Sequence, residues 1–155
     1  MAYSDILNPE VLEPVIWKSL VAIEGQAAHL VPVDTGNLRD SLSWATNKRQ
    51  ASEGAATFLG GGPAEVTPPS GDYEGVLGTN AEYARAVEEG RSDMENYPAQ
   101  PYLRPAVDWF RSKIGQISGK ELKVQLAYYN IRHPYRGVEI RTDGKNVVTR
   151  TGRRK

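Results

Sequence analysis

NPEVLEPVIWKSLVAIEGQAAHLVPVDTGNLRDSLSW, residues 8–44, is the stretch from which the rest of the chain is laid out. Asn8 is a good helix N-cap. Pro9 suits the first helical position, where its missing N–H costs nothing. Leu12, Ile16, Leu20, Ile23, Ala27 and Leu30 then recur three or four residues apart, one apolar stripe along a helix over 9–30. Pro14 lies within the first turns and moves the expected start toward Leu12 or Glu13. Pro32 ends the helix. Asp34 and Thr35 are cap residues for a short helix expected from Gly36 to about Ser43, with Gly36 permitting a tight turn and Leu38 and Leu42 facing the same way.

Beyond this stretch the pattern alternates between short elements and loops. Residues 44–59 hold a strand or two, Ala55–Leu59 being the better candidate, and Glu74–Gly78 is another short strand. Between them GGGPAEVTPPSGD, residues 60–72, reads as a loop of a length that often accompanies binding. Asn80 is positioned to cap a helix over AEYARAVEEG, with Tyr83 and Val87 on one face and Gly90 as its stop. After a loop containing Pro98 and Pro101, Pro105 opens a second long helix with Val107, Phe110, Ile114 and Ile117 along one side. Gly115 and Gly119 weaken that helix, so a break is expected near Ser118 before KELKVQLAYYN resumes it. In GVEIRT-DGK-NVVTRT two β-prone runs flank Asp143–Gly144, a strong hairpin signal. A lone hairpin is marginal in water, so this one needs a surface to pack on.

Length fits a single domain over 1–130 followed by a basic extension over 131–155. With 39% hydrophobic residues, a mean hydropathy of −0.51, 15 Gly and 10 Pro, the core is modest and the loops are many. The formal net charge of zero conceals an asymmetry. Residues 1–130 carry 11 Lys and Arg against 17 Asp and Glu, a net −6. Residues 131–155 carry 8 against 2, a net +6. Such opposition suits two surfaces that meet, within a chain or between neighbours. No apolar run approaches the about 18 residues that span a bilayer, and the acidic, Pro-broken N-terminus does not read as a secretion signal.

The chemistry-bearing residues are sparse. The absence of cysteine excludes disulfides, thiolate nucleophiles and Cys-type zinc sites. His29 sits near the end of the first helix, where a positive side chain favours the helix dipole; His133 sits in the basic tail. Neither has a nucleophile partner or metal-ligand spacing. Gly60–Gly62 lacks the Lys-Ser/Thr and helix start of a phosphate cradle. Glu88 and Glu89, being adjacent, do not face one pocket on a helix and read as a solvated face. The sequence therefore points to no enzyme, no cofactor and no metal. The basic tail, with Tyr128, Tyr129 and Tyr135 nearby, admits contact with a neighbouring acidic subunit, plain solvation or, as the alternative function, nucleic-acid binding; the hairpin pattern favours the protein contact. Its candidate contact residues are Arg132, Arg136, Arg141, Lys145 and Arg150.

Three segments in order and spacing, VDTGNLRDSL (33–42), GTNAEYARAVEEG (78–90) and PAQPYLRPA (98–106), resemble a widespread family of tailed-bacteriophage proteins. These are the small neck, head–tail joining or tail-completion proteins related to the minor tail protein Z group. The resemblance covers about residues 5–125. Its motif positions here are Asp34, Thr35, Gly36, Leu38, Arg39 and Ser41, then Tyr83, Val87, Glu88 and Gly90, then Pro101, Leu103, Arg104 and Pro105. The resemblance implies an α+β subunit with two long helices packed on a small antiparallel sheet, to which the tail adds a C-terminal β-hairpin extension. It implies a closed ring of copies, hexamer or dodecamer, at the neck or top of the tail of the virion, assembled in the host bacterial cytoplasm. The expected partners are the chain itself, adjoining neck, portal-side or tail-tube proteins, and DNA passing without sequence-specific contact; no membrane is expected. Arg39 is expected to pair with Glu88 or Glu89.

Overall fold

Asn8 begins the first helix as its side chain predicts: Asn8 Oδ1 accepts the Glu10 N–H at 2.9 Å, and the helix α1 runs over Pro9–Leu30. The computed structural model describes residues 7–32, 36–51 and 66–132, together with the strands at 139–142 and 147–150. Pro14 does not delay the start. Val11 and Leu12 N–H groups already bond Asn8 O at 2.9 and 3.0 Å, so Pro14 removes one later donor from a turn that is already closed.

The elements that follow are α2 (Asn37–Asp40), β1 (Ser43–Thr46), β2 (Gly75–Gly78), α3 (Ala84–Glu89) and α4 (Leu103–Arg132). Several bounds differ from the expectation. The short helix stops at Asp40 because Ser43 already belongs to β1. The first strand thus lies at 43–46; the preferred candidate Ala55–Leu59 lies outside the described residues. α3 begins at Ala84, not after an Asn80 cap, because Thr79 Oγ1 takes the Ala81 N–H at 3.1 Å and Ala84 N bonds Ala81 O in a turn ahead of the helix. α4 starts two residues before Pro105 and does not break near Ser118. A Cβ on Gly115 or Gly119 would meet nothing within 4 Å, so each glycine costs about 1 kcal/mol of propensity and no packing, which the tertiary contacts on either side override.

Strands β1 and β2 are antiparallel, with Ser43 opposite Gly78 and Thr46 opposite Gly75. Gly75 is where the sheet touches α1. A Cβ there would fall 2.6 Å from Leu20 Cδ1 and 3.0 Å from Ile16 Cγ2. On the same side, Trp17 of α1 stacks on Trp44 of β1 with centroids 6.0 Å apart and rings inclined 15°. Glu13, 5% exposed, receives the Thr46 hydroxyl at 3.3 Å and Arg49 Nε at 3.2 Å, and the Arg49 guanidinium lies 5.3 Å from the Trp17 ring centre.

Another face of α1 carries α4, antiparallel to it. Asn8 Nδ2 donates to the Tyr129 hydroxyl at 3.1 Å, Lys18 pairs with Glu121 at 2.7 Å, and the Ser19 and Ser118 hydroxyls meet at 2.9 Å. The expected pair of helices on one sheet is therefore rearranged. α1 is the central element, with the sheet on one face and α4 on another. A helix covered on two faces does not bury a single stripe. Its buried residues are Val11, Glu13, Val15, Leu20 and Ala27, while Leu30 of the expected stripe is 37% exposed. Apolar burial gathers at the two ends of the helix pair. Ala27 and Ala106 anchor one cluster; Val11, Leu126 and Tyr129 form the other.

Strands β3 (Glu139–Thr142) and β4 (Val147–Arg150) are antiparallel to each other, Glu139 opposite Arg150. The link between them and the residues on either side lie outside the described residues, so a C-terminal hairpin packed on the body stays an expectation.

Candidate functional site: a three-segment frame and its groove

Leu38 and Leu42 from the first motif segment, Ala84 and Val87 from the second, and Tyr102 and Ala106 from the third are buried together against Ala27 and Val31. Burying each Leu or Val contributes about 1.5–3 kcal/mol, which makes this cluster the principal apolar tie between distant parts of the chain. Alanines at 27 and 106, both fully buried, allow α1 and α4 to approach closely.

Polar contacts fix the frame further. Ser41 Oγ donates to Leu38 O at 2.8 Å, so the contact between Ser41 and Thr79 takes its proton from Thr79. The Thr79 oxygen is then left to accept the Ala81 N–H. One directed chain thus runs from the second segment into the first. Glu88 joins the second to the third. Its carboxylate accepts the Tyr102, Leu103 and Arg104 N–H groups at 2.7, 2.9 and 3.0 Å and so caps the 30-residue α4. Partial burial pushes the Glu88 carboxyl up, but the three backbone hydrogen bonds and the Arg104 charge outweigh it and hold it below the usual carboxylate value. Burial, then the nearby Glu88 and Tyr83, push the Tyr102 phenol up to about 12.

Gly90 closes α3 at φ +76, and a Cβ there would sit 2.7 Å from Ala99 N. This close approach lets Gln100 N reach Val87 O at 2.8 Å and Arg91 N reach Tyr97 O at 3.1 Å, which ties the 91–101 loop to α3.

Not every motif residue enters the frame. Arg39 does not pair with Glu88 or Glu89. It pairs with its neighbour Asp40 at 3.2 Å, Glu88 is committed to α4, and Glu89 pairs with Arg85 at 2.8 Å. Of Tyr83 and Val87, expected on one face of the helix, Val87 is buried and Tyr83 is 39% exposed. Leu103 and Pro105 are partly buried, while Pro101 and Arg104 face outward. Gly36 itself occupies the N-cap of α2, at φ +71; Asp34 and Thr35 lie outside the described residues. So do Arg136 and Lys145. Arg141 and Arg150 are placed only as members of β3 and β4, and Arg132 ends α4 at 3.9 Å from Glu10 of its own chain.

Around the frame lies an open groove of about 460 Å³ lined by Pro32, Leu38, Tyr83, Val87, Tyr97 and Pro98, with contributions from all three segments. Its rim is aromatic and exposed. Among the described residues, no group of His, Asp or Glu side chains is arranged to hold a metal ion, and no helix is long and apolar enough to cross a membrane.

Sequence reasoning missed the role of Glu88, because a carboxylate capping a helix 14 residues downstream leaves no local pattern. It also missed the Trp17–Trp44 stack and the Glu24 carboxyl, which burial pushes up against the lowering effect of its hydrogen bond with Trp44.

Residues 18–90 match the family model HK97-gp10-like, described as "Bacteriophage HK97-gp10, putative tail-component". The chain resembles a phage tail family. The match supports the tailed-phage neck and tail-completion resemblance drawn from the three segments, and it points to a phage tail-related structural protein of the virion. It spans the second half of α1, α2, the sheet and α3, and so includes the first two motif segments. The third segment and α4 follow it. No curated protein and no solved structure matches this chain.

Proposed function

We propose that this protein is a non-enzymatic ring subunit of a tailed phage, a neck or tail-completion protein that joins head and tail around the DNA channel. The observation that carries the reading is the match of residues 18–90 to a phage tail-component family. The frame is consistent with it. Three chain segments are locked by burial and backbone-directed hydrogen bonds into a stiff corner that presents an aromatic groove outward, an arrangement suited to holding a neighbour in fixed register. Copies arranged head to tail need two different complementary surfaces and a rotation that closes. The net −6 of residues 1–130 and +6 of 131–155 provide opposite charge for such contacts, and charge of this kind sets register and encounter more than affinity. In this reading Arg132, Arg136, Arg141, Lys145 and Arg150 reach a neighbouring subunit or an adjoining neck, portal-side or tail-tube protein, and the acidic body lets DNA slide past.

Mass photometry of the purified chain tests the reading. A hexamer or dodecamer is expected, and truncation after Asn130 reduces the assembled fraction. A chain that stays monomeric, or that shifts DNA in a gel with a steep salt dependence, would replace the ring reading with that of a nucleic-acid-binding module.

A further inference from the structure

α4 carries more apolar surface than α1 covers. Leu103, Ala106 and Phe110 face the core, and the same spacing continues through Ile114, Ile117, Val124, Tyr128 and Ile131. The contact with α1 meanwhile turns to another side of α4, through Ser118, Leu122, Leu126 and Tyr129. The continuation is therefore left open: Ile114 is 53% exposed, Val124 43%, Tyr128 55% and Ile131 74%. Its flanks are basic. Residues 111–132 hold five Arg and Lys against Glu121 alone, and Glu121 is engaged by Lys18. Lys113, Lys120 and Lys123 are exposed and make no ion pair among the described residues.

An apolar stripe edged with lysines repels its own copy and suits an acidic apolar surface. The chain has such a surface at the other end of the helix pair. The motif rim exposes Tyr83, Met94 and Tyr97 at 38–51%, and residues 82–97 hold five acidic side chains against two arginines; Glu88 is taken by the start of α4, Arg85 and Arg91 engage Glu89 and Asp93, and Glu82 and Glu95 leave the rim net acidic. From Leu103 to Val124 the helix advances about 30 Å, which carries the far part of the stripe, Val124, Tyr128 and Ile131, away from the end of α4 that the rim adjoins.

We propose that the α4 stripe of one copy docks on the acidic rim of the next, Lys113, Lys120 and Lys123 facing Glu82, Glu89 and Glu95. The contact is heterologous, as a head-to-tail ring requires. It rests on the ring reading above and locates the interface within α4 and the motif rim, independently of the basic tail.

Charge exchange in the full-length chain tests it. One variant carries Lys113→Glu, Lys120→Glu and Lys123→Glu; the other carries Glu82→Lys, Glu89→Lys and Glu95→Lys. Each alone is expected to lose assembly at least tenfold in mass photometry, whereas an equimolar mixture regains it, because alternating copies restore opposite charge at every contact. Regained assembly also shows that both variants fold. Loss without rescue in the mixture overturns the pairing. Unchanged assembly of either variant overturns it while leaving the ring reading standing, and a monomeric wild type removes both. Since the chain has no cysteine, Met94→Cys and Val124→Cys can also be joined by a short bismaleimide. The expected product links 94 of one copy to 124 of another; products linking only like positions contradict the heterologous contact.

Discussion

Replacing Glu88 isolates the tie between the second and third motif segments. In Glu88→Ala three N–H groups at the start of α4 lose a charged acceptor, and the Tyr102–Ala106 side of the core loses its anchor to α3. Loss of a cap costs about 0.5–2 kcal/mol and loss of a carboxylate at a helix N-terminus about 0.3–1 kcal/mol. Water reaches part of this site and re-solvates some of the donors, so the expected total is about 2 kcal/mol rather than the sum of three charged hydrogen bonds. With an m-value of about 2 kcal/mol/M, the urea midpoint read by tryptophan fluorescence drops by about 1 M. Glu88→Gln keeps one acceptor oxygen and loses less. The pH dependence separates this mechanism from simple packing loss. The folded-state pKa lies below the ordinary 4.5, so the contribution of the carboxylate is complete above that value and fades as pH falls through the folded pKa. The gap between wild type and Glu88→Gln should therefore narrow below about pH 4. An unchanged midpoint in Glu88→Ala, or a gap that ignores pH, would refute the capping role.

Three further outcomes follow from the same structure. Gly90→Ala forces a Cβ against the Ala99 backbone at positive φ, and its thermal midpoint should fall by the equivalent of about 2 kcal/mol or more. Ser41→Ala and Thr79→Val each cut the directed hydroxyl chain at a cost of about 1 kcal/mol, and the double variant should cost less than the two combined; strict additivity in a urea double-mutant cycle would argue against the chain. Glu24 is raised by burial, so its stability contribution is complete at low pH and diminishes as pH rises through its folded pKa. Glu24→Gln, which keeps an acceptor for Trp44, should thus raise the melting temperature at pH 7 and lose that advantage near pH 4; a lower melting temperature at pH 7 would contradict it.

The sequence showed the extent of α1 through Asn8 and the apolar spacing, and the stops at Pro32 and Gly90, because each depends on contacts a few residues apart; it showed the place of β2 through a short β-prone run, but not its distant partner β1. The three motif segments were legible as a set; burial accounts for Leu38, Val87 and Tyr102 among them, while Arg39, Tyr83, Pro101 and Arg104 stay exposed. Their polar partners were not legible. Arg39 was assigned to Glu88 or Glu89 from charge alone, whereas distance gave Arg39 to Asp40 and left Glu88 to cap α4.

What the amino-acid sequence determined by itself was the α+β content, the position of the long helices and the charge split between body and tail, all local or additive properties of the chain. Tertiary structure alone decided that α1 is the central element, that α4 passes unbroken through Gly115 and Gly119, and that its apolar stripe outruns its cover. Those outcomes depend on which faces of two helices meet. That choice is made by side chains about 100 residues apart, such as Ser19 with Ser118 and Lys18 with Glu121, whose pairing no local spacing encodes.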